Sequence, residues 1–481
     1  MRFAPALASA LAVLAPSGLV SGEEPRPAEL GLEERVEVRM VLLDVLVLDR
    51  QDRTVPDLSL QDFELLVDGK TVPIETLDRQ CPAGSADDAR AVREDDGPHE
   101  AARSTRPGRL VLVFDYDHMI SSDPHGSRLP GGALRAAEEA IRSGRLGGGE
   151  IMVLSMGSVL RIEEPLTSDR DDVLRALGRM HSDPALSRGP AGLSEFRFFE
   201  RLEALMDLLE AVPGRKAVVL FSGPLVPDGF THDPAYARLA AMSATSRASI
   251  YPVDTGGLRT LADPDFRPLG GPAELRRLAT ESGGRMTADT NDLALGLARA
   301  ERDLGCLYTL GFQDREARLD RSRRVTVLFP GRKGLRAVSS ASYGVRSAQE
   351  KARSLLETAS IAPQSFRSDA VRADLILAGP LSERRWDATF VVEICTDPAS
   401  LRPSAAEREL RAFLRTPSGT TVRSLRRRVA PSESVVLERM SIRPGRYVLS
   451  AVVSDPEGGS PVATVREVEV PAIPHAAPLA L

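Results

Sequence analysis

Two aspartates with one residue between them end an apolar, strand-like run. Residues 110–114 (LVLVF) suit a strand that is buried on both faces of a parallel sheet, and Asp115 and Asp117 follow at once. Ligands of open α/β sheets bind in the crevice beyond the carboxyl ends of the strands. Carboxylates placed there can hold a divalent cation or act as nucleophile and general acid. The structural alternative is a solvated strand end at which Asp only makes a turn.

Further candidates follow the later strands. Residues 217–221 (AVVLF) form another doubly buried run that ends in Ser222, and Ser194 is positioned to cap a helix. His118 and His125 flank the acidic pair closely enough to suggest a metal cluster, but the Ser, Asp, Pro and Gly around them are typical of loops. Surface histidines are therefore the favoured interpretation.

Composition limits the classes of function. The chain has 481 residues, 42% hydrophobic and 27% charged, which predicts two or three globular domains. A net charge of -6 argues against a general nucleic-acid surface. The sequence contains no GxGxxG after a strand, no P-loop, no GxSxG and no HExxH, so the common enzyme signatures are absent.

The amino terminus resembles a secretory signal. An apolar run over residues 3–20 follows Arg2 and precedes the small residues Ser21 and Gly22, which predicts a signal peptide over residues 1–22. The mature chain should be periplasmic, cell-surface or extracellular, without a membrane span and with envelope association as an option. The three widely spaced cysteines are expected to be unpaired, with one bridge and one free thiol as the alternative; they are Cys81, Cys306 and Cys395.

The hydrophobic pattern divides the mature chain. Strand patterns predict an N-terminal β unit (residues 23–82), and a Gly, Pro and charge-rich stretch predicts a flexible linker (residues 83–107). Strands and helices alternate over residues 108–312, with residues 306–312 as the final strand, which predicts a doubly wound, mostly parallel sheet. Residues 313–346 are predicted to be a pair of strands that completes the small β unit, and residues 347–370 a helical connector. Residues 371–474 are predicted to form an immunoglobulin-like or fibronectin-like β-sandwich.

Within this pattern, residues 108–312 resemble a von Willebrand factor A (VWA) domain, specifically the VWA-related family of exported bacterial proteins. The resemblance covers roughly residues 33–345 and rests on a succession of blocks: RVEVRMVLLDVLVLD, LSLQDFELLVDGK, RLVLVFDYDHM, EEPLTSDRDDVLRAL, PGRKAVVLFSG, IYPVDTGGL and LRRLATESGGRMTADTNDLALGLARAERDLGCLYTLGF. It implies a Rossmann-like doubly wound sheet and a non-enzymatic protein that binds another protein, in adhesion or as an envelope scaffold.

The family's hallmark is a metal-ion-dependent adhesion site: Asp-x-Ser-x-Ser after the first strand, a Thr from a later loop and an Asp after the fourth strand. Here Asp115 matches, but Asp117 and Met119 stand where two hydroxyls are expected, and Ser222-Gly223-Pro224 replaces the usual Thr-Asp-Gly. Because a thioether is a poor ligand for magnesium, we expect a degenerate site with no cofactor, or with a weakly bound magnesium or manganese ion. The candidate metal ligands are Asp115, Asp117, Ser194 and Ser222.

A second interpretation is an enzyme. A strand that ends in Asp-x-Asp also resembles the first motif of haloacid-dehalogenase-type phosphotransferases, with Asp115 as nucleophile, Asp117 as general acid and Ser222 as phosphate-binding hydroxyl. That family needs a later Lys and an acidic pair, yet no Lys lies between Lys216 and Lys333. The non-enzymatic interpretation is therefore preferred.

Overall fold

The structure is a computed structural model. It describes residues 40–81, 108–121, 129–146, 148–157, 159–183, 186, 195–225, 233–257, 272–395, 407–417, 419–454 and 459–473. The signal peptide and linker predicted from the sequence, and the candidate ligand Ser194, lie outside these ranges. No helix in the described ranges is long and apolar enough to cross a lipid bilayer.

The described chain begins with four strands: β1 (Met40–Leu48), β2 (Glu64–Val67), β3 (Lys70–Val72) and β4 (Ile74–Gln80). Asp68 and Gly69 both have positive φ and join β2 to β3, as a two-residue Asp-Gly hairpin turn requires.

A five-stranded mixed sheet forms the centre of the molecule. Its strands are β5 (Arg109–Asp115), β6 (Glu150–Met156), β7 (Leu160–Thr167), β8 (Lys216–Ser222) and β9 (Ala248–Asp254). Their order is β7-β6-β5-β8-β9, and all pairs are parallel except β6 with β7. The carboxyl ends of β5, β6, β8 and β9 therefore share one edge, as the alternating pattern predicts.

Helices cover both faces of this sheet. They are α1 (Tyr116–Ser121), α2 (Leu129–Arg142), α3 (Arg170–Ser182), α4 (Glu195–Glu210), α5 (Asp233–Ser246), α6 (Ala273–Ser282) and α7 (Ala294–Leu304). Apolar side chains of α1, α2, α3 and α7 pack in one core with one face of the sheet, and those of α4, α5 and α6 pack with the other. The chain is thus doubly wound.

Four strands follow the last of these helices: β10 (Leu307–Gln313), β11 (Ser322–Leu328), β12 (Arg336–Ser339) and β13 (Ser342–Gly344). They combine with the N-terminal strands into two sheets, β12-β1-β10-β4 and β13-β11-β2-β3. The prediction that residues 306–312 end the parallel sheet is therefore wrong, because β10 pairs antiparallel with β1 and β4. Among the residues that the structure describes, a single parallel bridge, Val253 to Thr287, extends the central sheet beyond β9.

The expectation of unpaired cysteines is also wrong. Cys81 and Cys306 form a disulfide across 225 residues of sequence, and Cys395 is free. The bridge lies beside the pair Leu307 and Gln80, so it ties the ends of β4 and β10 together. This pairing could not be read from spacing, since the two cysteines meet only because the two strands are neighbours in a sheet.

The carboxyl-terminal part contains helix α8 (Ala348–Ile361) and seven strands: β14 (Val371–Ser382), β15 (Arg385–Ile394), β16 (Arg408–Arg415), β17 (Thr421–Val429), β18 (Val435–Ile442), β19 (Gly445–Ser454) and β20 (Val462–Val470). The strands form two antiparallel sheets, β14-β15-β18 and β17-β16-β19-β20. Both sheets face one apolar core, which makes this part a β-sandwich.

Candidate functional site

Asp115 is the centre of the candidate site. It ends β5, the middle strand of the sheet, and its side chain is fully buried. Its Oδ2 accepts hydrogen bonds from Ser222 Oγ and from His118 Nδ1, each at 2.7 Å. Its Oδ1 accepts from the His118 backbone N–H at 3.4 Å. Both carboxylate oxygens are therefore satisfied by the protein itself.

The local fold explains why these groups meet. Helix α1 begins directly after Asp115, so His118 lies one helical turn further on and folds back over the strand end. Ser222 ends β8, the strand that pairs in parallel with β5, so its hydroxyl reaches the same edge. The backbone carbonyl of Ser222 in turn accepts from the Thr255 N–H at 3.0 Å, which fixes the neighbouring strand end.

Asp117 has a different partner. Its Oδ2 accepts from the Arg201 guanidinium at 2.8 Å, and Asp117 and Arg201 are 8% and 3% exposed. Burial raises the pKa of Asp117 above its ordinary value of 3.8, and the charge of Asp115 acts in the same direction. Arg201 opposes both effects. The ion pair is thus enclosed in the protein, where screening by solvent is weak.

Helix α4 supplies Arg201. The same helix presents Phe198, one turn earlier, whose ring meets the His118 ring edge-on at 5.2 Å and 80°. The sequence analysis predicted a helix after Ser194 but did not single out Arg201. The available signal was a charged residue at a position three after Phe198 and four before Leu205, on the face that is otherwise apolar.

The structure brings three of the four candidate residues together, namely Asp115, Asp117 and Ser222. Met119 is fully buried in the core on the α1 side of the sheet and adds no oxygen ligand. Arg161, a basic residue on strand β7, pairs with Glu163 and Asp183 and is not the counter-charge of the acidic pair. His118 does contact the pair, so it belongs to the buried site and not to the surface.

These residues do not fit a divalent cation. Magnesium needs near-octahedral oxygen ligation, but the Oδ2 atoms of both aspartates already accept hydrogen bonds from the protein. The Arg201 guanidinium also lies where a second cation would be repelled. Across the part of the chain that the structure describes, no cluster of three or more His, Cys, Asp or Glu side chains could hold a metal.

The same geometry offers no support for phosphoryl transfer. Asp115 has no exposed surface for attack on a phosphate ester. Lys216 lies at the opposite end of β8, buried, and its Nζ donates to the carbonyls of Val212 and Gly214. Burial and neighbouring arginines lower the pKa of Lys216 to about 8, but this lysine cannot reach the acidic pair at the other edge of the sheet.

No protein-family model and no curated protein matches this chain. Among solved structures, its neighbours include an aerotolerance-related membrane protein of Bacteroides fragilis (16% identity, 41% of this chain, 98% of that chain, TM-score 0.30). They also include a von Willebrand factor type A protein of Catenulispora acidiphila (13% identity, 51% of this chain, 68% of that chain, TM-score 0.30). A third neighbour is BatB of Bacteroides thetaiotaomicron (14% identity, 41% of this chain, 98% of that chain, TM-score 0.28). Structural neighbours thus include a VWA protein.

Proposed function

We propose that this chain is an exported, non-enzymatic interaction protein, which binds another protein through a VWA domain whose metal-ion-dependent adhesion site is degenerate. Its role would be in adhesion or as an envelope scaffold. The observation that carries the proposal is the closed acidic pair: Asp115 is satisfied by His118 and Ser222, and Asp117 by Arg201. A site closed in this way offers neither an open metal position nor a reactive group.

The disulfide supports export independently of the signal sequence. Bridges such as Cys81 to Cys306 form and persist in oxidising compartments and are rare in the cytosol. Amino-terminal sequencing of the native protein should therefore find a chain that begins near Glu23, in a fraction outside the cytoplasm. An intact Met1 in the cytoplasmic fraction would contradict export.

The carboxyl-terminal sandwich supports an interaction role. Tyr447 lies near the start of β19, and its hydroxyl donates to the Arg443 carbonyl at 2.9 Å. A tyrosine that bonds back to the backbone at this corner is a feature of immunoglobulin-like sandwiches. We assign the sandwich to the immunoglobulin-like or fibronectin-like type, which many cell-surface proteins use for binding.

The test is capture of partners by the mature chain from its own cell-envelope fraction, with EDTA or with added magnesium. We expect the same captured proteins in both conditions, because the acidic pair needs no ion. Loss of the partner in EDTA and recovery with magnesium would contradict the proposal. A second arm measures hydrolysis of p-nitrophenyl phosphate, and any turnover that Asp115→Asn abolishes would favour the phosphotransferase instead.

A further inference from the structure

A positively charged side chain of the protein itself lies beside the acidic pair, Asp115 and Asp117. Asp115 and Asp117 are two residues apart at one strand end, and both are almost completely buried. Two such carboxylates repel each other when both are charged. Burial of this much negative charge requires a compensating positive group. Arg201 provides it at 2.8 Å from Asp117, from a helix that is distant in sequence.

We propose that Arg201 is a built-in cation that takes the place of the divalent ion at this edge of the sheet. His118 and Ser222 complete the arrangement by donating the hydrogen bonds that Asp115 needs. This inference deepens the proposed function and rests on its degenerate adhesion site. Because this guanidinium is covalently attached to α4, it cannot diffuse away from the site or be removed by a chelator.

The choice of arginine fits this role. A guanidinium stays protonated at every physiological pH and is less strongly hydrated than an ammonium group, so it is well suited to a buried pair. The contact of Phe198 with His118 places the rest of this α4 face against the same strand end. Arg201 is therefore held by its helix on one side and by Asp117 on the other, unlike a long side chain of a surface ion pair.

Removal of the built-in cation should expose a latent metal site. In the double variant Arg201→Ala/His118→Ala, the oxygens of Asp115, Asp117 and Ser222 lose two of their protein partners. Two carboxylates and a hydroxyl, completed by waters, are a suitable ligand set for magnesium or manganese. The double variant should thus bind an ion that the wild type rejects.

The experiment is a set of thermal melts of the mature chain, either in about 5 mM Mn²⁺, a concentration that suits a weak site, or in EDTA. Binding of Mn²⁺ is followed separately by electron paramagnetic resonance. Wild type should show the same melting temperature in both conditions. The double variant should melt lower in EDTA and recover several degrees in Mn²⁺, because a ligand that binds only the folded state stabilises it. Adding Asp117→Asn should abolish that recovery.

Arg285→Ala is the matched control. It removes the guanidinium of another buried pair, with Asp303 at 2.6 Å, which shares no residue with the acidic pair. This variant should also be destabilised, but Mn²⁺ should not restore it, because Asp303 is the buried carboxylate left there, while Asp52, the other acidic partner of Arg285 at 3.7 Å, is exposed to solvent. Arg201→Lys, which keeps a cation, should likewise ignore Mn²⁺.

Two results overturn the inference. One is a Mn²⁺-dependent rise in the wild-type melting temperature that Asp115→Ala abolishes. The other is a folded double variant that takes up no Mn²⁺. If the double variant does not fold, Arg201→Gln replaces it, since Gln keeps a hydrogen-bond donor without the charge; this variant must then respond to Mn²⁺, and its failure to do so overturns the inference. Partner capture that is insensitive to EDTA would leave the proposed function standing in either case.

Discussion

Replacing Asp44 by Ala should loosen the N-terminal strands from the central sheet. Asp44 lies in β1, and its carboxylate accepts from Arg215 Nε at 3.0 Å and from Arg247 Nε and Nη2 at 2.9 and 2.7 Å. Thr309 Oγ1 of β10 also donates to it, at 2.8 Å. Arg215 directly precedes β8, and Arg247 directly precedes β9. The carboxylate of Asp44 therefore joins the N-terminal strands to the amino-terminal ends of these two strands of the central sheet.

The size of the effect follows from burial. The side chains of Asp44, Arg215 and Arg247 are 15%, 7% and 27% exposed, so the substitution leaves two arginines in a poorly solvated place. Removing one partner of a buried ion pair costs about 3–5 kcal/mol. We expect the lower end, about 3 kcal/mol, because Arg247 keeps partial contact with water. The control is Asp49→Ala, whose partner Arg53 is 74% exposed, so solvent screens this pair and its loss should lower the stability much less than the loss of Asp44.

The assay is urea unfolding followed by circular dichroism at 222 nm, which reports the helices of the α/β domain. With an m-value of about 3 kcal/mol/M, a loss of about 3 kcal/mol lowers the midpoint by about 1 M. A midpoint for Asp44→Ala that matches that of Asp49→Ala would refute the reasoning, because it would show that the two arginines find solvation elsewhere.

The pH dependence gives a second check. Burial acts to raise the pKa of Asp44, but Arg247 and Arg215 outweigh it and hold the pKa below its ordinary value of 3.8. A group with a depressed folded pKa stabilises the protein above its unfolded pKa, and that stability is lost as the pH falls through the folded pKa. The difference between wild type and Asp44→Ala should therefore be complete near pH 6 and should shrink below about pH 4.

Three further substitutions test other parts of the structure. Cys81→Ser/Cys306→Ser opens a loop of 225 residues and should cost up to about 5 kcal/mol, measured as a lower urea midpoint that dithiothreitol reproduces in wild type; no change would mean that the bridge does not form. Asp115→Ala removes the acceptor of two buried side-chain donors, Ser222 and His118, and should lower stability by about 1–3 kcal/mol with EDTA present. An unchanged melting temperature would contradict the closed site. Tyr447→Phe deletes one hydrogen bond and should lower the free energy of unfolding by about 1 kcal/mol, measured by urea unfolding followed by the fluorescence of Trp386, the single tryptophan. A change in midpoint that appears only in the circular dichroism at 222 nm would contradict this prediction.

Local patterns in the sequence predicted much of the central domain. The apolar run that ends in Asp115 corresponds to β5, and the run that ends in Ser222 corresponds to β8. Both strands are buried on two faces, so a continuous apolar run identifies them without knowledge of any partner. The proximity of Asp115 and Ser222 follows as well, because the carboxyl ends of neighbouring parallel strands meet.

Contacts between distant segments could not be predicted in this way. Arg201 is separated from Asp117 by 84 residues, and nothing in the sequence of α4 says which carboxylate it will meet. The pairing of β10 with β1 could not be predicted for the same reason, since the apolar residues of β10 suit both the central parallel sheet and the sheet of the N-terminal strands. Strand β17 could not be predicted for another reason. Val429, at its end, is its one buried residue, and several of the others are exposed arginines. The segment therefore lacks the alternation of apolar and polar residues that identifies a half-buried strand.

Helix α4 links the closed acidic pair to the carboxyl-terminal part of the chain. Arg201, in the middle of the helix, binds Asp117, and Asp207, in the last turn, accepts from Thr358 of α8 at 2.9 Å. Glu357, the residue before Thr358, pairs with Arg411 of the sandwich at 2.6 Å. A divalent ion can leave the strand end altogether, whereas Arg201 stays covalently attached to α4 and can only turn its side chain away from Asp117. A shift of α4 itself would change the contacts of both Arg201 and Asp207, so the ion pair at the strand end and the contact with α8 depend on the position of the same helix.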